Sequence, residues 1–242
     1  MYLSCAREQL VMHRLLSSFA IADEIQFFND LKKTFKENIP HINFFQEGEH
    51  YCDSEFIRCN DEKKITTIEI INIRNKDKRL PYSPTNINND ITLPSSISTL
   101  THLTELNISI AVVRINWDNI VNLRSLRTIK IISNNIYEFL RLDGLSLTHL
   151  HLSYNNIEQD LHSISFSKTL KYINLSNNNF CGDIKIFNNI PDLEKLDLSY
   201  NPLLYVNTSQ LHLSFKLSVL SLVGNKLIGN IPNFRNNGEL TL

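Results

Sequence analysis

The sequence predicts an α/β repeat solenoid, in which short parallel strands stack side by side. An apolar residue, two variable residues and an apolar-variable-apolar triplet recur at intervals of 21 to 24 residues. Units this short cannot bury an apolar face alone, so neighbouring units have to stack into one continuous core. The six repeated sets are Leu103/Leu106/Ile108, Leu126/Ile129/Ile131, Leu147/Leu150/Leu152, Leu170/Ile173/Leu175, Leu193/Leu196/Leu198 and Leu217/Leu220/Leu222.

Alternation within each triplet assigns its side chains to two faces. Leu150 and Leu152 are predicted to point inward, whereas His149 and His151 point outward. In five units an asparagine follows the first residue of the triplet by five positions, and a side-chain amide can bond backbone groups that a tightly curved chain leaves unpaired. We therefore predict a structural ladder of asparagines that bind no ligand: Asn134, Asn155, Asn178, Asn201 and Asn225.

These units resemble leucine-rich repeats over roughly residues 91–234. The segments "LPSSISTLTHLTELNIS", "NNNFCGDI" and "GNKLIGNIP" are similar to the plant-type subclass of that family. The resemblance implies a leucine-rich repeat horseshoe with parallel strands on the concave face and helical or extended returns on the convex side. Two features depart from the pattern: Ala111 replaces the ladder asparagine of the first full unit, and Gly-x-Ile-Pro is complete only from Gly229 to Pro232.

The N-terminal segment, residues 1–22, has the layout of a signal peptide. Arg7 and Arg14 precede the short apolar stretch "LLSSFAIA", which ends in small residues before Asp23. The alternative is an irregular or helical N-terminal extension.

Residues 23–64 are predicted to form an N-terminal cap. Ile25, Phe28, Leu31 and Phe35 recur at near-helical spacing, which indicates an amphipathic helix that ends before Pro40. A first strand is expected directly after the cap, where Ile65, Ile68 and Ile70 fit the strand template. A terminal repeat needs such a cap because its inner edge would otherwise meet water.

Cys52 and Cys59 admit several interpretations. The resemblance implies that the pair forms a disulfide in the cap, although Ser54 and Phe56 stand where the family has Trp and Gly. Zinc binding with His41 or His50, a redox pair and reduced buried thiols are the alternatives, and neither the usual zinc spacing nor Cys-x-x-Cys is present. The other two cysteines are interpreted as an isolated small apolar residue, Cys181, and as part of the signal segment, Cys5.

Residues 65–242 are interpreted as about seven strand units, of which the last is incomplete. Within them, the polar segment 74–90 lengthens one interval to 38 residues and is predicted to be an inserted surface loop. The formal net charge of −1 offers no basic stripe, so no nucleic-acid partner is expected. No apolar run approaches the roughly 18 residues of a membrane-spanning helix, so we expect no transmembrane segment in this chain.

No catalytic motif is apparent, so neither an enzyme nor a cofactor is expected. The strand positions that face outward form columns, and the middle of these columns combines aromatic and charged side chains, as binding hot spots do. A metal bound by His149, His151 and Asp197 and a merely solvated surface are the alternatives. The predicted ligand-binding residues of the concave face are His149, His151, Tyr154, Tyr172, Lys195, Asp197 and Tyr200.

The resemblance implies a non-catalytic recognition module that binds a protein, peptide or glycan ligand, as a receptor-like ectodomain or secreted protein. The sequons at Asn107, Asn174 and Asn207 are predicted glycosylation sites if the chain is secreted. An intracellular, cytoplasmic scaffold and a truncated receptor fragment remain the alternatives. With Leu240 and Leu242 on an uncapped last unit, a homodimer through the C-terminal repeat is also expected.

Overall fold

The computed structural model describes residues 22–38, 48–71, 91–109, 113–134, 136–137, 140–207, 209, 211–229 and 239–241. The predicted features outside these ranges are residues 1–21 of the signal segment, the inserted loop 74–90, His41, Ala111, residues 230–232 and Leu242. Across the described ranges, no helix combines the length and the apolar character needed to cross a membrane.

The principal element is a sheet of nine strands within the described residues. Its order is β1-β2-β4-β6-β7-β8-β10-β12-β14, and every pair from β2 onward is parallel. Each strand is short because the chain must leave the sheet, return along the convex side and re-enter one position further on. The strands are β1 Ile57–Cys59, β2 Ile65–Ile71, β4 Glu105–Ser109, β6 Thr128–Ile131, β7 His149–His151, β8 Tyr172–Asn174, β10 Lys195–Asp197, β12 Val219–Ser221 and β14 Glu239–Thr241.

The register of this sheet places the repeated apolar residues side by side. Ile68 pairs with Leu106, and the same column continues from unit to unit as far as Leu240. Its members Leu106, Ile129 and Leu196 are fully buried. Burial of an apolar side chain of this size contributes roughly 1.5–3 kcal/mol. The predicted solenoid, with inward-facing triplets and parallel strands, is confirmed.

The returning segments contain short 3₁₀ helices and two small parallel sheets. The 3₁₀ helices are Ser95–Thr99, Trp117–Asn119, Leu161–Ser163 and Ile184–Asn189, and each turns an apolar side chain into the core. Three of them begin at an Asn or Asp whose side chain accepts a backbone N–H, which satisfies a free donor of the first turn. The small sheets pair β3 Ile91–Thr92 with β5 Val113–Arg114, and join β9 Gly182–Asp183, β11 Leu204–Asn207 and β13 Lys226–Ile228.

The cap begins with helix α1, residues 22–38, which packs its apolar face on the start of the sheet. The predicted phase of this helix is wrong at its first turn. Ile25 is 45% exposed, whereas Phe27 is fully buried beside Phe28, Leu31 and Phe35. Glu24, rather than Ile25, completes the buried face of the helix. It is only 2% exposed, and its Oε2 accepts the Ile65 N–H at 3.1 Å.

The cysteine pair closes the second half of the cap. Cys52 lies in the 3₁₀ helix Tyr51–Asp53 and forms a disulfide with Cys59 at the end of β1. The disulfide that the family resemblance implied is therefore confirmed. Cys59 lies upstream of β2 in a short strand of its own, which pairs antiparallel with β2 and covers the outer edge of the parallel sheet.

The five predicted ladder asparagines bridge consecutive units. In each case Nδ2 donates to a backbone carbonyl of the preceding unit, as from Asn178 to Leu152 at 2.8 Å and from Asn201 to Leu175 at 3.0 Å. In four of them, Asn155, Asn178, Asn201 and Asn225, the side-chain oxygen also accepts a backbone N–H of the preceding unit, as Asn201 does from Phe180 at 3.1 Å. These bonds satisfy backbone groups at the tight exit from each strand.

The residue before each ladder asparagine adopts left-handed backbone geometry, with φ between 55° and 74°. This column consists of Ser133, Tyr154, Asn177, Tyr200 and Gly224. Glycine and asparagine tolerate the conformation, whereas a bulky side chain is strained in it. Two tyrosines are thus held in a costly conformation directly beside the parallel sheet.

Candidate binding site on the concave face

The outward side chains of the parallel strands form two straight columns. Strand register places Lys130 beside His151, and then Asn174, Asp197 and Ser221 in succession. A second column runs through Thr128, His149, Tyr172, Lys195 and Val219. Because parallel strands repeat the same register, residues 21 to 24 positions apart become lateral neighbours.

A cleft of about 370 Å³ lies over the middle of both columns. This volume falls within the range of small-molecule and side-chain pockets, which is roughly 300–1,000 Å³. The floor is formed by the strand backbones at Leu150, Ile173 and Leu196. The polar and aromatic lining comprises Lys130, His149, His151, Tyr172, Asn174, Lys195 and Asp197.

The centre of the cleft is a stack of three side chains from successive strands. The His149 and Tyr172 rings are 4.4 Å apart between centroids and 15° from parallel. Lys195 Nζ lies 5.6 Å from the centroid of the Tyr172 ring, in cation–π geometry. The Tyr172 hydroxyl donates to Glu194 Oε2 at 2.9 Å, which fixes the ring at its outer end. The stack therefore presents a preorganised surface of aromatic faces and one cation.

Burial and neighbouring charges set the protonation of the cleft. Burial lowers the pKa of His151 below its usual value, as does the positive charge of Lys130, while Asp197 acts in the opposite direction. Burial likewise lowers the pKa of His149. The hydrogen bond to Glu194 raises the pKa of Tyr172 and lowers that of Glu194. At neutral pH the cleft therefore holds two uncharged imidazoles, a neutral phenol and the charges of Lys130, Lys195 and Asp197.

The structure separates the seven predicted site residues into two groups. Five of them line the cleft: His149, His151, Tyr172, Lys195 and Asp197. Tyr154 and Tyr200 instead follow the strands in the left-handed column, and are 61% and 55% exposed. Both lie outside the lining of the cleft, at the exit of their strands, because three residues after the strand the chain has turned away from the sheet.

Two lining residues, Lys130 and Asn174, are absent from the predicted set of ligand-binding residues. Both occupy the same column as His151, so strand register was the signal that could have identified them. Lys130 Nζ lies 3.2 Å from Glu105 Oε1 on the preceding strand. Asn174 Oδ1 accepts bonds from the backbone N–H and the hydroxyl of Ser176, at 3.0 and 2.8 Å.

The three predicted glycosylation sites differ in access. Asn107 is 8% exposed, and its Nδ2 donates to Glu69 Oε1 at 3.4 Å. Asn174 and Asn207 are half-buried at the cleft and at the end of β11. All three sites stay predictions.

Metal-binding geometry is not found in the parts of the chain that the structure describes. No group of three or more His, Cys, Asp or Glu side chains there is arranged to hold an ion. His151 Nε2 instead lies 2.8 Å from Ser153 Oγ, and Asp197 Oδ1 accepts the Ser199 N–H and hydroxyl. Cys181, half-buried in a return, is not part of a disulfide.

Comparison with known proteins agrees with this geometry. Residues 146–168 and 169–190, which contain β7 and β8, match the family model described as Leucine Rich Repeat. These two segments are leucine-rich repeats. The chain is 39% identical over 94 residues to the S-cell enriched with leucine-rich repeat-containing protein slrA of Dictyostelium discoideum. The match takes in 37% of this chain and only 7% of the Dictyostelium protein.

Solved structures share the leucine-rich repeat fold at low sequence identity. The Arabidopsis receptor kinase HAESA, solved with the peptide hormone IDA and the co-receptor SERK1, superposes with a TM-score of 0.59 at 21% identity. That superposition covers 78% of this chain and 31% of the HAESA chain. The PEPR1–AtPEP1 structure gives a TM-score of 0.54 at 16% identity, over 84% of this chain and 32% of the other. At these identities the likeness concerns the fold.

Proposed function

We propose that this leucine-rich repeat protein is a non-catalytic recognition module that binds a peptide, protein or glycan segment in its concave cleft. The observation that carries the proposal is the stack of His149, Tyr172 and Lys195. These side chains project from three successive strands into one cleft. Aromatic and cationic groups that are already ordered bind a partner at low entropic cost.

A peptide is the ligand class that the fold comparison favours. HAESA, whose repeats superpose on this chain, was solved with a peptide hormone. An extended peptide also suits a face on which subsites repeat at the spacing of adjacent strands, about 4.8 Å. Because an extended peptide advances about 3.3 Å per residue, a segment of a few residues that crosses the sheet would contact several strands.

The disulfide supports an extracellular site of action. Disulfides persist in oxidising compartments and are rare in the cytosol. Cys52–Cys59 joins the first 3₁₀ helix of the cap to β1, so the bond is integral to the folded cap. Peptide mass spectrometry without reduction, on protein isolated from its own cells, tests this: a Cys52–Cys59 cross-link with glycan on Asn174 or Asn207 is expected. Free thiols with unmodified asparagines would favour an intracellular scaffold instead.

The binding proposal is tested by selecting ligands from a random peptide library displayed on phage. The library is selected in parallel on the full wild-type chain and on the variant Y172A/K195A, which removes two members of the stack. We expect a population of peptides that binds the wild-type chain at least about tenfold more tightly than the variant, as hot-spot truncation implies.

A matched variant controls for general damage to the surface. Y137A/K168A removes the same two residue types from exposed positions outside the cleft lining, and should bind the selected peptides as the wild type does. The proposal is wrong if every enriched peptide binds Y172A/K195A as tightly as the wild-type chain while both fold normally.

A further inference from the structure

We infer that the concave cleft recognises a carboxylate-bearing segment of its ligand, and that His149 and His151 make this recognition tighter at mildly acidic pH. The inference rests on the proposed function, since it specifies the ligand chemistry and the regulation of the same cleft. It starts from the arrangement of charges around the stack.

Lys195 is the cation of the cleft that is available to a ligand. Lys130 is already bridged to Glu105 at 3.2 Å. Lys195, by contrast, forms no ion pair with any described residue, and its Nζ lies over the face of Tyr172. The single acid in the lining, Asp197, uses Oδ1 to accept two bonds from Ser199. A ligand carboxylate placed over Tyr172 would therefore meet an uncompensated ammonium group.

The two histidines can supply further donors to the same carboxylate. One ring nitrogen of each is engaged locally, since His149 Nδ1 lies 2.9 Å from Thr148 Oγ1 and His151 Nε2 lies 2.8 Å from Ser153 Oγ. The second nitrogen of each ring has no hydrogen-bond partner among the described residues. In the protonated ring both nitrogens donate, so the second one could bond a ligand oxygen.

The protonation of both rings is balanced by groups on neighbouring strands. Around His149, burial and the charges of Lys130 and Lys171 lower its pKa, while Glu105 and Glu194 raise it. Around His151, burial and the charge of Lys130 lower its pKa, while Asp197 raises it. The other polar residues that line the cleft there are Tyr172, Asn174 and Lys195. A bound carboxylate adds a negative charge and raises both pKa values.

The sign of the pH effect follows from this shift. Because the bound state holds protons more tightly than the free state, affinity increases as pH falls from the pKa values of the bound histidines to the lower values of the free ones. Binding weakens again near pH 4, at about the value where ligand carboxylates themselves become protonated. The cleft should therefore bind an acidic ligand best in mildly acidic surroundings.

The test uses two fluorescent peptides, tetra-glutamate amide and tetra-glutamine amide, with the full chain at constant ionic strength. We expect tetra-glutamate to bind about tenfold more tightly near pH 5.5 than near pH 7.5, and tetra-glutamine to bind weakly and without pH dependence. K195M should weaken tetra-glutamate binding at both pH values. The double variant H149Q/H151Q should bind tetra-glutamate equally at both pH values, because the two groups that gain a proton are gone.

The matched control is H102Q/H212Q, which removes two exposed histidines outside the cleft lining and should keep the full pH response. The inference is overturned if tetra-glutamate binds equally at both pH values, binds no better than tetra-glutamine, or keeps its pH response in H149Q/H151Q. Its failure is distinguishable from that of the proposed function. The selected library peptides could still require Tyr172 and Lys195 for binding while being neither acidic nor pH-dependent. That result would support the recognition module and contradict the inference of carboxylate recognition.

Discussion

The repeat array and the cap bury polar side chains in opposite ways. In the array the buried polar groups are neutral amides and hydroxyls, and Asn201 alone makes three donor bonds and one acceptor bond to backbone groups. The cap buries Glu24 with a single hydrogen bond, next to Lys64, whose buried Nζ has no hydrogen-bond partner within the described residues. Polar burial thus stabilises the array at any pH, whereas in the cap it is linked to proton binding.

The largest effect should come from breaking the ladder. N201A removes four hydrogen bonds and leaves buried backbone groups unpaired, so we expect a loss of about 3–4 kcal/mol in the free energy of unfolding. Urea unfolding followed by circular dichroism measures it. N189A, at an exposed position of the preceding unit, should change stability by less than about 0.5 kcal/mol. Equal losses in both variants would contradict a specific role for the ladder.

Removing the disulfide should have the next largest effect, which is a loss of stability in the cap. The bond joins residues separated by seven positions, so C52S/C59S should cost about 2.5 kcal/mol through the freedom that the unfolded chain regains. The same unfolding experiment on oxidised protein measures this loss. C181S, which alters a cysteine outside any disulfide in the array, serves as the control. A comparable loss in C181S would show that the effect arises from the thiols rather than from the cross-link.

The titration of Glu24 tests the difference between the cap and the repeat array. Burial raises the pKa of Glu24 from 4.5 to about 7, opposed by its bond to Ile65 and by Lys64. Because the folded state binds this proton more tightly than the unfolded state, its contribution to stability is complete below pH 4.5 and is lost as pH rises through about 7. We therefore expect the unfolding free energy of E24Q, relative to that of the wild type, to increase by about 2 kcal/mol as the pH is raised from about 5 to about 8.

Urea titrations at several pH values measure the Glu24 effect. The control is E37Q, on the same helix but with a largely exposed carboxylate. If E24Q follows the pH dependence of the wild type, the proton is bound elsewhere.

The smallest effect concerns the left-handed column. Tyr154, with φ of 57°, occupies a position where the next unit has Asn177, and its side chain is largely exposed. Y154N should therefore raise the unfolding free energy by about 0.5 kcal/mol, because asparagine tolerates this conformation better. S133N, at a small residue of the same column, is the comparison. A loss of stability in Y154N would indicate that the tyrosine ring packs favourably enough to outweigh the strain.

Features that repeat could be predicted from the sequence in their register, whereas the cap, which occurs once, was predicted only in part. Six units carry the same triplet and five of them the asparagine spacing, so the strand register follows directly and brings His149, Tyr172 and Lys195 together. The cap has no second copy for comparison. Its helix phase was misjudged because the buried position is occupied by Glu24, and β1 is only three residues long.

The candidate site was predicted incompletely for a related reason. Lys130 and Asn174 look unremarkable in sequence, and belong to the cleft only through the lateral neighbours that register gives them. Tyr154 and Tyr200 were assigned to the face by composition, whereas their left-handed backbone takes them out of the cleft lining. The repeat pattern of the sequence identifies which strands are neighbours, but the turn that follows each strand determines which side chains line the cleft.

The antiparallel strand β1 has a consequence for how such a chain can change in length. It occupies the hydrogen-bonding edge of β2, so a duplicated unit cannot be accommodated between the two without separating the cap from its support. Beyond β2, every junction joins two parallel strands in the same register, and an extra copy inserted there meets matching neighbours on both sides. Lengthening and shortening by recombination are therefore directed to the interior of the array, where each event also adds or removes one row of the ligand-facing surface.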